Sequence, residues 1–111
     1  MSAANPLRGE VALELGGRSH VLRPSFAALL AIESEVAPLL VLAQEAAEGR
    51  VRVEAMATVF HHCLYLEDGA ARPTVGEIGE VILADGLMPS LKAYRALIEN
   101  VLMGPAPDRD G

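Results

Sequence analysis

The sequence predicts an α+β fold, mostly α: an N-terminal β-hairpin followed by four to five amphipathic helices in a small bundle. Three observations carry this. Val11, Leu13 and Leu15 alternate with Glu10, Ala12 and Glu14, the period of a half-buried strand, and Gly16-Gly17 follows at once. Met56, Val59, Phe60, Cys63 and Leu64 stand at i, i+3, i+4, i+7 and i+8, one continuous helical face. The 111 residues are 51% hydrophobic with no Trp, two Phe and two Tyr, which suits one domain with an aliphatic core.

The return strand runs from Arg18 to Arg23, with Val21 and Leu22 as apolar members. Its alternation is poor, so the residues leave its register open. One hairpin is barely stable in water and must lie on the helices that follow. Pro24 suits a helix N1 position, where its missing N–H has no partner to lose. Phe26, Leu29, Leu30, Ile32 and Val36 then set out the apolar side of a helix, with Glu33 and Glu35 facing water. Pro38 stops or kinks this helix and can open a second, whose apolar side is Leu39, Leu40, Leu42, Ala43 and Ala46. Gly49 is placed to cap its C-terminal end.

After the Met56–Leu64 stripe, "EDGAARP" is a turn-rich connection. Thr74 and Glu77 form a T-x-x-E capping box, in which each side chain satisfies a free backbone N–H of the helix start. Val75, Ile78, Val81 and Ile82 are that helix's apolar side. Gly76 and Gly79 each cost ~1 kcal/mol relative to Ala, and either allow close backbone approach or mark a weak helix. Gly86 ends it, and Pro89 and Ser90 open a fifth helix. Leu91, Tyr94, Leu97, Ile98, Val101 and Leu102 line one side of the fifth helix, Lys92, Arg95 and Glu99 the other, and Gly104 closes it. Residues 1–104 read as one domain and 105–111 as a flexible C-terminal tail.

No motif for catalysis, cofactor or metal binding emerges. His61, His62 and Cys63 are good ligand types at the wrong spacing, because neighbours on a helix point about 100° apart. The expectation is a buried thiol beside two boundary imidazoles. Gly16-Gly17 is followed by a strand, whereas a phosphate loop runs directly into a helix. Glu67-Asp68 and Asp85 read as solvated loop carboxylates.

The net charge of −6 and the scattered basic residues argue against nucleic-acid binding. One cysteine gives no internal disulfide. The first ten residues lack the apolar run of a signal peptide, and "APLLVLA" is too short to span a bilayer. The expectation is a cytoplasmic, non-enzymatic interaction module with no membrane contact. "APLLVLAQEAA" is apolar over more than half its circumference, which suggests a partner or self-association surface. Candidate partner-binding residues are Leu39, Leu40 and Leu42, with Tyr94 and Leu97 on the last helix.

The opening stretch, "NPLRGEVALELGGRSHVLRPSFAALLAIE", resembles the start of the small tail proteins of gene transfer agents and related siphophages. The shared residues are Asn5, Arg8, Gly9, Glu10, Val11, Leu13, Gly16 and Gly17, then Leu22, Arg23, Pro24, Ser25, Phe26, Ala28, Leu29, Ile32 and Glu33. The later helices are similar too, and the family offers no catalytic motif to carry over. The resemblance implies one of two roles. One is a tail assembly chaperone that binds the helical tape-measure protein or other tail proteins and is then released. The alternative is a structural tail tube or adaptor subunit, self-associating and retained in the particle. Tube subunits are β-rich, so the helical pattern here favours the chaperone.

Overall fold

Two five-residue strands open the fold: β1 (Val11–Leu15) pairs antiparallel with β2 (Arg18–Leu22), Val11 opposite Leu22 and Leu15 opposite Arg18. The computed structural model describes residues 4–104, so the segment expected as a tail lies outside the described residues. The turn consists of Gly16 (φ +63°) and Gly17 (φ +77°), a conformation that matches the twist of a two-residue hairpin and that side chains resist. Leu13 and Leu15 point inward as the alternation predicts. The register of β2, open in the sequence, puts Val21 and Leu22 in the core at its far end.

Five helices follow: α1 (Phe26–Glu35), α2 (Leu39–Ala47), α3 (Val53–Cys63), α4 (Val75–Asp85) and α5 (Leu87–Met103). This is the expected α+β, mostly α architecture. Helix α3 is the hub. Met56, Val59, Phe60, Cys63 and Leu64 are all buried, and α1, α4 and α5 pack around it. The sheet closes over the far side of the bundle, with β1 lying on α5 and touching α4. Among the described residues, Leu22 also bridges to Leu64, and two bonds tie the strand end to the end of α3. Tyr65 N–H donates to Val21 O at 2.8 Å, and Arg23 N–H donates to Cys63 O at 2.6 Å.

The helix ends follow local chemistry. The capping box at α4 is present: the Thr74 hydroxyl accepts from Glu77 N–H at 3.0 Å, and Glu77 Oε1 accepts from Thr74 N–H at 2.9 Å. Gly79 packs against α3, where a Cβ would meet that of Ala57 at 4.0 Å, an ordinary contact. Helix α3 ends under a clamp the sequence does not announce. Arg72 Nη1 donates to His61 O at 2.6 Å and Leu64 O at 2.9 Å, satisfying carbonyls left free at the helix end.

Four details differ from expectation. Pro24 is not the first residue of α1. Ser25 takes the cap, its Oγ accepting from Ala28 N–H at 3.1 Å, and Pro24 precedes it. The inward side of α1 is Ala28 and Ile32, while Phe26 and Leu30 face outward. Helix α5 starts at Leu87, directly after Gly86 (φ +91°), with Pro89 inside its first turn. Proline costs little there, because first-turn N–H groups have no intrahelical partner. Asp85, expected in a loop, closes α4 and accepts from Gly16 N–H at 2.8 Å.

Residues 5–10 are tied down more firmly than their sequence suggests. Asn5 Oδ1 accepts from Leu7 N–H and caps a 3-10 turn, Pro6–Arg8. The Glu10 carboxylate then gathers the segment: Oε1 accepts from Asn5 N–H at 2.8 Å and Oε2 from Arg23 Nε–H at 2.7 Å. Arg23 in turn lies over the Tyr65 ring, 4.0 Å from its centroid. Asn100 Nδ2 donates to Gly9 O at 3.2 Å, joining the N-terminal segment to the last helix.

Candidate functional surface

The five residues expected to bind a partner separate into two groups. Leu42, Tyr94 and Leu97 are core side chains, each 1% exposed. Tyr94 packs edge-on against Phe60, ring centroids 6.4 Å apart, and burial pushes its hydroxyl up to about 12. These three belong to the core where α2 packs on α5 and α5 on α3, and are out of a partner's reach in this conformation. Leu39 is half-buried, and Leu40, 73% exposed, faces solvent. The chain therefore presents the Leu40 side of α2, joined there by Val41.

More open apolar surface lies where the sequence reading did not place it. Phe26, 77% exposed, and Leu30 stand one turn apart on α1. Leu83, Leu87 and Met88 crowd the α4–α5 corner, and Leu102 and Met103 end α5. Helix α1 explains the miss. Its residues 26–32 are all apolar, so over that stretch periodicity gives no phase from which to choose the buried face. Size gives no signal either: Ala27, Ala28 and Ala31 are equally small, and of the three only Ala28 is buried.

Two shallow grooves run along α5 and share Arg95. One, of about 410 Å³, lies between α2 and α5, with Ala43, Ala46 and Ala47 on one side and Ile98, Leu102 and Met103 on the other. The second, of about 580 Å³, follows Met88, Leu91 and Lys92 at the start of α5. Arg95 reaches across, its Nη2 donating to Ala46 O at 3.3 Å. Between α2 and α5 the surface is apolar, floored by alanine, with charge at its edges.

The ligand-type residues scatter. His61 Nδ1 bonds Pro73 O at 2.8 Å, His62 Nε2 bonds Glu35 Oε1 at 3.0 Å, and Cys63 turns into the core. Burial, only partly offset by the nearby Arg72 charge, pushes the Cys63 thiol up to about 12. A thiol so placed is a poor nucleophile at neutral pH. Among the described residues no group of three or more His, Cys, Asp and Glu side chains is arranged to hold a metal ion. Nor is any single helix among them long and apolar enough to cross a membrane. The apolar pair α1 and α2 is bent by 76°.

Comparison with known proteins gives one finding. No curated protein and no solved structure matches this chain. A family model described as phage tail tube protein, GTA-gp10, matches residues 8–104, from the Arg8 that begins the Gly9-Glu10 motif to the Gly104 that caps α5. That span takes in the hairpin, all five helices and both grooves, and by it the chain belongs to this family of phage-type tail proteins.

Proposed function

We propose that this tail protein acts as a tail assembly chaperone: a non-enzymatic binder that keeps the long helical tape-measure protein dispersed until the tube forms around it. The observation that carries this reading is the balance of elements. A tube of stacked rings is built from extended sheet, whereas this chain commits two five-residue strands to covering its own helices. The β2 end is already closed by Leu64 and Tyr65. What remains open is helical and apolar: Leu40 and Val41 on α2, and Leu83, Leu87 and Met88 at the α4–α5 corner. Such surfaces take amphipathic helices. The net charge of −6 would keep a chaperone-coated partner dispersed, acting in the cytoplasm before particles mature.

The second reading, a tube or adaptor subunit, is favoured by the family's own description. Quantifying the protein by mass spectrometry in purified particles and in the lysate that yields them separates the two. Abundance in lysate with absence from particles is the expected result. Retention at ring stoichiometry would make it a structural subunit.

A further inference from the structure

We infer that Asp68-Gly69, in the connection between α3 and α4, is a site of spontaneous covalent rearrangement, in which the main chain passes onto the Asp68 side chain as an isoaspartyl linkage. This stands apart from the chaperone reading, since it needs no partner.

The chain holds three Asp-Gly pairs. Asp110-Gly111 lies outside the described residues. The other two carry the same groups in opposite settings. Rearrangement needs a backbone nitrogen able to attack and a carboxyl able to be attacked. Glycine suits the first, because no side chain shields its nitrogen or limits its rotation.

Both groups are open at Asp68-Gly69. The two residues are exposed, at the centre of a turn closed by Ala70 N–H donating to Glu67 O at 3.0 Å. Among the described residues, the Asp68 carboxylate enters no hydrogen bond or ion pair, and the Gly69 N–H makes no hydrogen bond. Beyond the chain neighbours, no atom lies within 4 Å of where a Gly69 Cβ would stand, so the turn can rotate without a clash.

Asp85-Gly86 is exposed too, so exposure does not separate the pairs. Hydrogen bonding does. Asp85 Oδ2 accepts from Gly16 N–H at 2.8 Å, and Gly86 N–H donates to Leu83 O at 3.3 Å. Carboxyl and nitrogen are both engaged, at the junction where α4 ends and α5 begins. Both bonds must break before the ring can close.

The chemistry uses water alone. The Gly69 nitrogen attacks Asp68 Cγ. An N–Cγ bond forms, the nitrogen gives up its proton, and the Cγ–OH bond breaks, so one water leaves and a five-membered imide remains. Water then adds to either imide carbonyl. Breaking the N–Cγ bond restores aspartate. Breaking the bond from nitrogen to the main-chain carbonyl carbon leaves the chain running through Cγ and frees the main-chain carboxylate. Each closure and reopening places one solvent oxygen in residue 68.

Incubating the full chain in heavy-oxygen water, in mildly acidic buffer, tests this. Cleavage in ordinary water after glutamates, Glu67, Glu77 and Glu80 among them, puts the two pairs on separate peptides for mass spectrometry. The peptide beginning at Asp68 should take up heavy oxygen and split into two chromatographic forms of equal mass, at least ~tenfold faster than the peptide holding Asp85. In urea, with the fold removed, the two should label at similar rates. Asp68→Ser should abolish label in its peptide. Equal labelling of the two pairs in the native chain, faster labelling at Asp85, no label at Asp68, unequal rates in urea, or label that survives Asp68→Ser would each overturn the inference.

Discussion

Glu10 sits between the N-terminal 3-10 turn and Arg23. Its side chain is 3% exposed, yet it carries a charge and organises both the N-terminal turn and Arg23. Burial pushes its carboxyl up. The Asn5 N–H, followed by the hydrogen bond and charge of Arg23, outweighs burial, so the group titrates below its ordinary value of 4.5. A carboxylate with a depressed folded-state pKa contributes stability that is present above 4.5 and is lost as pH falls through the folded-state value. Glu10→Gln should cost about 1–2 kcal/mol at neutral pH, a modest figure because Arg23 is 37% exposed and partly screened. Urea unfolding of both proteins across a pH series should show the gap narrowing below 4.5. In the sequence, Glu10 reads as the polar half of an alternating strand. A two-residue turn at Gly16-Gly17 pairs Leu15 with Arg18 and Val11 with Leu22, which leaves Glu10 and Arg23 opposite each other one step further on; their ion pair follows from the turn.

At the scale of elements, legibility follows how decisively each helix separates its faces. Helix α3 was readable because five apolar residues fall on one stripe and every one is buried. The α4 start was readable because the capping box is a local rule that needs no tertiary context. Thr74→Ala should therefore cost about 0.5–2 kcal/mol, read from the denaturation midpoint, with helix content otherwise intact. Helix α1 was legible in existence and not in orientation, and the same ambiguity misplaced part of the candidate surface. Leu42, Tyr94 and Leu97 look like partner residues in a sequence that does not say which apolar stripe is spent on the core. The hairpin had the converse history: poor alternation left the register of β2 open, while the two-residue turn at Gly16-Gly17 sets it, Leu15 opposite Arg18.

For the whole molecule, helices carry the core and the sheet is a lid. This division underlies both the chaperone proposal and the predicted absence of the protein from finished particles. Asn5, Gly9, Glu10 and Arg23 fasten the first strand and the last helix into one unit.

The packing of β1 on α5 has a consequence during synthesis. The first strand made finds its main cover in the last helix made, with Asn100 reaching back to Gly9 across almost the full length of the domain. A nascent chain that has emerged only to Asp85 holds a hairpin joined to the end of α3 and touching α4, but without its main cover. The domain should close in one late step, as α5 leaves the ribosome. Ribosome-bound chains of increasing length should pass abruptly from protease-sensitive to protease-resistant once α5 has cleared the exit tunnel; gradual protection from the hairpin onward would rule out that timing.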